Sequence, residues 1–239
     1  MYYTFTVEHS PTAPIARGLR IFAINATTGQ NVWNMTGAMA PGLVADGYLT
    51  ASSYYDGYLY VFGKGKSVTT ISAPQAAAVQ GQSVMLTGTV LDMSPGMPGT
   101  PCVSRESMTE WMEHLYMQKP IPANVTGVPV SLDAVDPNGN SIHIATITTD
   151  MSGSFSYLWD TPDISGKYAV TATFVGDESY GSSYAQTAVG LTQTAASPTP
   201  TTDTQAVPAY TMLDLGIIAA VIIAIIIGLV NLILLRRRR

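Results

Sequence analysis

The chain has 239 residues, 46% of them apolar and only 11% charged, with 21 glycines and 15 prolines. Four of its eleven Lys and Arg residues are the terminal Arg236, Arg237, Arg238 and Arg239, which leaves seven basic against fifteen acidic side chains in residues 1–213, a net of −8; such a surface disfavours nucleic acid, whose binding rests on basic footprints that release counterions. The single cysteine, Cys102, excludes an internal disulfide and a cysteine-built zinc or iron–sulfur site, and the low charge with abundant Gly, Pro, Ser and Thr points to strands and turns.

The N-terminal run "MYYTFTVEHSPTAPIARG" lacks the basic and apolar regions of a signal peptide. Because the rest of the chain reads as exported, it is expected to be the C-terminal piece of a longer protein. Residues 19–33, "LRIFAINATTGQNVW", alternate through Leu19, Ile21 and Ala23 and meet a Thr28-Gly29 turn before Trp33. That pattern predicts a strand pair. "DGYLTASSYYDGYLYVFGKGK" continues it, with Asp46-Gly47 and Asp56-Gly57 as turns before aromatic strands. From Ala73 short alternating strands follow: "GQSVMLTGTVLD", "GVPVSLDAVDPNGNSIHIATITTD", "GSFSYLWDTPDISGKYAVTATFVGDESY" and "SSYAQTAVGL". Turns at Asn138-Gly139, at 150–153 and at Ser165-Gly166 separate them in the rhythm of an antiparallel sandwich.

One interruption, "CVSRESMTEWMEHLYMQKP" at 102–120, reads as a helix. Ser104 or Ser107 can cap it, Ser107 with Glu110 fits a capping box, and Pro120 ends it. Met108, Trp111, Met112 and Leu115 form one apolar stripe, opposite Glu106, Glu110 and His114. A copper site built from the methionines, His114 and Cys102 is disfavoured because His114 points away from Met108 and Met112. Cys102 is better placed to link two chains than to hold a metal.

After the strands, "QTAASPTPTTDTQAVPAY" is a stalk that buries no core. Residues 215–235 carry no charge over 21 positions, long enough to cross a hydrocarbon core, and the four arginines follow at once. The nearest basic residue on the other side is Lys167, so the C-terminus is expected in the cytoplasm and everything before the helix outside. Gly216, Ala220, Ala224 and Gly228 recur every four residues, with Asn231 near the same face; this ridge predicts self-association in the membrane.

The run from Ala23 through Thr28, Gly29 and Trp33 resembles the A-x-D-x-x-T-G-x-x-x-W repeat of quinoprotein-like (PQQ-type) β-propellers, with Asn25 where the family has Asp. The resemblance covers about residues 15–65 and implies that Gly29 shapes a turn and Trp33 docks one blade against the next. A single copy cannot fold as a propeller, so upstream blades are implied. No quinone-contacting residue comes with it. "TTDMSGSFSY" and "GKYAVTATFVGDESYGSSYAQ" resemble bacterial and archaeal Ig-like domains of large surface proteins, which act as spacers or adhesive modules; this likeness covers about 76–192. Together the parts resemble archaeal cell-surface proteins with quinoprotein-like propellers. No P-G-F or L-P-x-T-G processing signal is found, and a retained anchor is expected.

The expected fold is therefore all-β: a terminal β-propeller blade (1–72), an Ig-like β-sandwich (73–192) with a helical insertion at 93–125, a Thr/Pro/Ser-rich stalk (193–213), and one transmembrane helix with a basic tail (214–239). Sequons at Asn25, Asn34 and Asn124 are glycosylation candidates. Asp136-Pro137-Asn138-Gly139-Asn140 offers oxygen ligands to calcium, but a hairpin turn explains it, and the same holds for Asp150 and Asp177. Neither His9, His114 nor His143 stands in a catalytic motif, and no glycine-rich phosphate loop or HExxH run occurs. The expectation is a non-enzymatic, membrane-anchored surface protein for extracellular binding, adhesion or display. It has no cofactor or metal; its partners are the lipid bilayer, an unidentified extracellular protein or glycan, and further copies through the membrane helix. Two alternatives stand beside it: the C-terminal part of an extracytoplasmic PQQ-type oxidoreductase, and a purely structural stalk.

Overall fold

The computed structural model describes the backbone of residues 1–9, 16–193 and 212–237, and side chains at Met1, 19–193 and 213–237. The chain divides into two units, Met1–Thr194 and Ala195–Arg239.

The first unit opens with two antiparallel meanders. Strands β1 (Tyr2–His9), β2 (Ala16–Ile24) and β3 (Asn31–Thr36) form one sheet; β4 (Met39–Ala45), β5 (Tyr48–Ser53) and β6 (Leu59–Phe62) form the next. Their turns follow from local chemistry. Asn25 Oδ1 accepts the N–H groups of Thr27 (2.9 Å) and Thr28 (3.2 Å), and Gly29 takes φ +72°. Between β4 and β5, Asp46 and Gly47 both have positive φ (50° and 81°), as a tight two-residue hairpin turn requires. Period-2 alternation puts Ile21 and Met35 of one sheet against Met39, Leu49 and Ala51 of the other, all buried.

The remaining strands make a two-sheet sandwich. They are β7 (Ser67–Ser72), β8 (Ala78–Val79), β9 (Ser83–Asp92), β10 (Thr100–Pro101), β11 (Pro129–Val135), β12 (Ser141–Thr148), β13 (Ser154–Asp160), β14 (Gly166–Phe174) and β15 (Ser183–Thr192). One sheet has β9 between β7 on one side and β13 and β10 on the other; the second runs β12-β11-β14-β15-β8. Leu86, Val90, Phe155 and Trp159 from the first sheet face Val130, Leu132, Tyr168, Val170 and Phe174 from the second. Each fully buried side chain of this size stabilises the fold by about 1.5–3 kcal/mol. Along one flank the sheets are tied by hydroxyls: Ser67 donates to the Gly181 carbonyl, and Ser183 Oγ lies 2.8 Å from Ser67 Oγ and 2.7 Å from Thr69 Oγ1. The result is a half-closed barrel.

Two boundaries differ from the sequence reading. Residues 1–72 hold two successive three-stranded sheets where one terminal blade is expected, and β7, expected with them, pairs with β9 from Ser67 opposite Asp92 to Ser72 opposite Thr87. The cause is that β7 turns Ser67 and Thr69 inward, buried polar residues whose hydroxyls are matched across the flank, so hydropathy does not mark it as a sandwich strand.

The helix α1 (Arg105–Met117) lies in the connection from β10 to β11, within the expected insertion. Its N-cap is Ser104, without a side-chain cap bond; the Ser107 hydroxyl instead accepts the Thr126 N–H at 3.0 Å, so the capping box expected at Ser107 does not form. The helix stops at Gln118 in the left-handed conformation (φ 54°), two residues before Pro120. The second unit contains α2 (Met212–Arg237), of which Leu213–Arg237, 25 residues, is long and apolar enough to cross a membrane. The stalk falls outside the described residues over 194–211, as do Arg238 and Arg239.

Candidate functional site

A cluster of polar contacts joins α1 to β3. β3 is the edge of its sheet, so alternate N–H and C=O groups point outward with no strand to meet them. Two helix side chains take that place. Glu113 Oε1 accepts the Thr36 N–H, and Thr109 Oγ1 donates to the Asn34 carbonyl at 3.0 Å. Arg20, on β2, donates through Nε to Asn34 Oδ1 (2.9 Å) and through Nη1 to Thr36 Oγ1 (3.2 Å), and its Nη2 lies 3.4 Å from Glu113. Glu113 is only 9% exposed. Burial works against its charge, but the Thr36 hydrogen bonds, with Arg20 and Lys119, outweigh that and hold the carboxyl below the usual glutamate range.

The same helix has two apolar attachments. Met108 packs on the sandwich core, whereas Met112 and Met117 pack with Trp33, Tyr60 and Phe62 on the core between the two small sheets. Tyr116 meets Tyr60 edge-on at 6.0 Å. The stripe expected from Met108, Trp111 and Met112 thus exists, with Trp111 buried and Leu115 half-buried, but it serves two cores. Glu106 and Glu110 are exposed as expected, and His114 Nδ1 lies 2.9 Å from the Lys119 carbonyl.

The Trp33 ring stacks on Phe62 with centroids 5.4 Å apart and planes 27° off parallel. Thr28 Oγ1 accepts the Gln30 N–H (3.3 Å) inside the turn closed by Gly29. Of the sequons, Asn25 and Asn124 are exposed in turns, while Asn34 is half-buried with its side-chain oxygen Oδ1 held by Arg20.

Cys102 is fully buried in the sandwich core, and burial, with Asp92 and Asp177 nearby, pushes its thiol well above the ordinary range. A bridge from this sulfur to a second chain therefore requires the sandwich to open. Cys102, Met108, Met112 and His114 do not converge, and among the described residues no group of three or more His, Cys, Asp and Glu side chains is arranged to hold a metal.

The acidic turns are closed by their own backbone. Asp136 accepts from the side chain (2.9 Å) and N–H (2.8 Å) of Asn140 and from the Asn138 N–H (2.8 Å), which together lower its pKa. Asp150 is held likewise by the Ser152 hydroxyl (2.6 Å) and the Ser154 N–H (3.0 Å), and Asp177 accepts from Ser179 (2.7 Å) and Tyr180 (2.8 Å). Each is a turn-forming carboxylate that closes its own loop through Oδ1, with Oδ2 engaged as well in Asp136.

On the outer face of β11 and β12, His143 Nδ1 meets Asp133 Oδ1 at 2.8 Å, Ser131 donates to the other Asp133 oxygen at 2.7 Å, and Thr146 lies 3.5 Å from Nε2. A bulge between the Leu132 and Asp133 pairings sets Asp133 opposite His143. The group is open to solvent on a flat sheet, with His143 58% exposed. His9 lies where only the backbone is described. Gly216, Ala220, Ala224, Gly228 and Asn231 all fall within α2.

Sequence reasoning missed Arg20, Thr109 and Glu113, and two tyrosines. Tyr168, fully buried at the start of β14, donates to the Ile164 carbonyl at 3.0 Å. Tyr180 accepts the Val103 N–H at 3.4 Å beside Phe174. The run Ile164-Ser-Gly-Lys-Tyr168 carries the first as a legible signal; the second joins segments 77 residues apart and leaves none. No family model matches the chain, and no curated protein matches it.

Proposed function

We propose that this chain is a single-pass, membrane-anchored cell-surface protein whose β-rich part stands outside the cell and works in binding, adhesion or display, with no chemistry of its own. The observation that carries the reading is the 25-residue apolar helix Leu213–Arg237 at the end of a β-rich chain, closed by arginines and preceded by an acidic region. Basic residues flanking one end of a span stay on the cytoplasmic side.

Two features support the finer assignment. The sandwich order, with β7-β9-β13 facing β12-β11-β14-β15, and the Tyr168 bond back to Ile164, a counterpart of the tyrosine corner, support an Ig-like reading. The stacking of Trp33 on Phe62 between successive sheets supports the propeller-repeat reading. On this reading Asn124 and Asn25 are the better glycan acceptors, because their side chains are exposed.

The test is orientation in the full-length chain. Asn124→Cys and an added C-terminal cysteine are labelled in intact cells with an impermeant maleimide. Labelling of Asn124→Cys from outside, and of the C-terminal cysteine only after permeabilisation, is expected. The opposite pattern, or release of the chain by alkaline carbonate, defeats the assignment.

A further inference from the structure

We infer that the open face of the β4–β6 sheet, together with the free edge of β6, is a contact surface for a second copy of this chain. The sheet carries large apolar side chains on both sides. Met39, Leu49 and Ala51 face the β1–β3 sheet and are covered. On the other side Tyr48, Leu59 and Val61 are 51%, 63% and 60% exposed, and Leu43, whose N–H bonds Thr50 Oγ1 at 2.9 Å, is 80% exposed. The register fixes the two faces, Leu49 opposite Phe62 on the covered side and Thr50 opposite Val61 on the open one. Tyr48 lies tight over Gly63, where an added Cβ would fall 2.3 Å from the ring, so the open face is packed at this end too. Large uncovered apolar patches of this kind mark association surfaces.

The edge adds hydrogen-bonding capacity. The Ser53 N–H bonds the Tyr58 carbonyl at 2.9 Å; antiparallel alternation then turns the backbone groups of Tyr60 and Phe62 toward β5 and those of Leu59 and Val61 outward. Among the described residues no strand pairs with β6 on that side. Charged or proline residues, the usual guards of an exposed edge, are absent from "LYVF".

Charge, symmetry and area select the second copy as the occupant. None of β4, β5 and β6 contains a charged residue, so their side chains meet their own image without charge–charge repulsion. Two β6 strands run antiparallel about a two-fold axis present the same outward groups to each other, closing both edges at once. Leu43, Tyr48, Leu59 and Val61 offer on the order of 500 Å² per copy, a large share of the ~800 Å² per partner of a standard interface. The surface lies within residues 39–63 and does not depend on the membrane assignment.

The experiment uses the full-length chain in its membranes, with Val61→Cys as probe and Tyr184→Cys as a control at a site 72% exposed on the sandwich. Buried Cys102 gives little background. Under mild oxidation Val61→Cys is expected to form a disulfide dimer at least tenfold faster than Tyr184→Cys, and adding Leu59→Lys is expected to slow it at least tenfold. Equal rates at the two positions, a rate indifferent to Leu59→Lys, or a product joined to a different polypeptide overturns the second-copy contact. All three substitutions are at exposed positions, and an unchanged thermal transition shows that each variant is folded.

Discussion

Glu113 is a carboxylate buried at 9% exposure that remains charged because a backbone N–H and a guanidinium hold it there. Its folded-state pKa is depressed, so the stability it contributes is present above the ordinary glutamate range and is lost as the pH falls through the folded value. Glu113→Gln keeps the shape and removes the charge. It is expected to cost about 1–3 kcal/mol at neutral pH, in urea unfolding followed by tryptophan fluorescence, and the gap to the parent is expected to shrink on acidification. Nothing in "EWMEH" marks Glu113 as inward; a glutamate on a helix reads as solvated until the open edge of β3 is placed beside it. Cys102 illustrates the reverse, a residue whose chemistry is silenced by position. In the native chain its alkylation by maleimide is expected to be at least a hundredfold slower than after unfolding, and non-reducing electrophoresis is expected to show no link through it, since the thiolate is the reactive form and burial disfavours it.

At the scale of elements, α1 does the work of a fourth strand for β3 and of a packing residue for the sandwich. Met108 and Met112, one turn apart, belong to different cores. Met108→Ala and Met112→Ala are each expected to cost about 2 kcal/mol, the low end for truncating a buried methionine because both are partly exposed. Hydrogen exchange separates them: Met112→Ala should quicken exchange in β3 and β6 and spare β9 and β13, while Met108→Ala should do the opposite. The helix and most strands were legible because their periods are strong, 3.6 in "SMTEWMEHL" and 2 in "SVMLTGTVL". β7 was not, because its inward residues are hydroxylated. Nor was the division into two small sheets, because nothing local in "ASSYYDGYLYVF" says whether its strands extend the preceding sheet or stack on it; that is decided by the Trp33–Phe62 contact between residues 29 positions apart.

For the whole molecule, the order of parts along the chain carries most of the argument, and that order was readable because composition shifts sharply: alternating strands, then Thr and Pro, then aliphatics, then arginines. What composition could not supply was the site, since the joint at α1 and the open face of β4–β6 both arise from segments brought together only by folding. Orientation is the property of the whole that a few residues decide. Seven Lys and Arg residues are spread over positions 1–213, the nearest to the helix being Lys167, against four in succession after it. A charged side chain crosses the bilayer only at a cost of several kcal/mol, and the bias counts basic residues within about 15–20 positions of the span, so on the proposed topology the terminal arginines are what would set the direction. Replacing Arg236, Arg237, Arg238 and Arg239 together by Asn removes that bias while leaving the apolar span its length. A mixed population is expected, part of it with the C-terminus on the outer side, read by protease protection of a C-terminal tag in sealed vesicles. A tag that stays wholly protected on the cytoplasmic side would mean that the β-rich part, folding or held on its own side first, dictates the orientation.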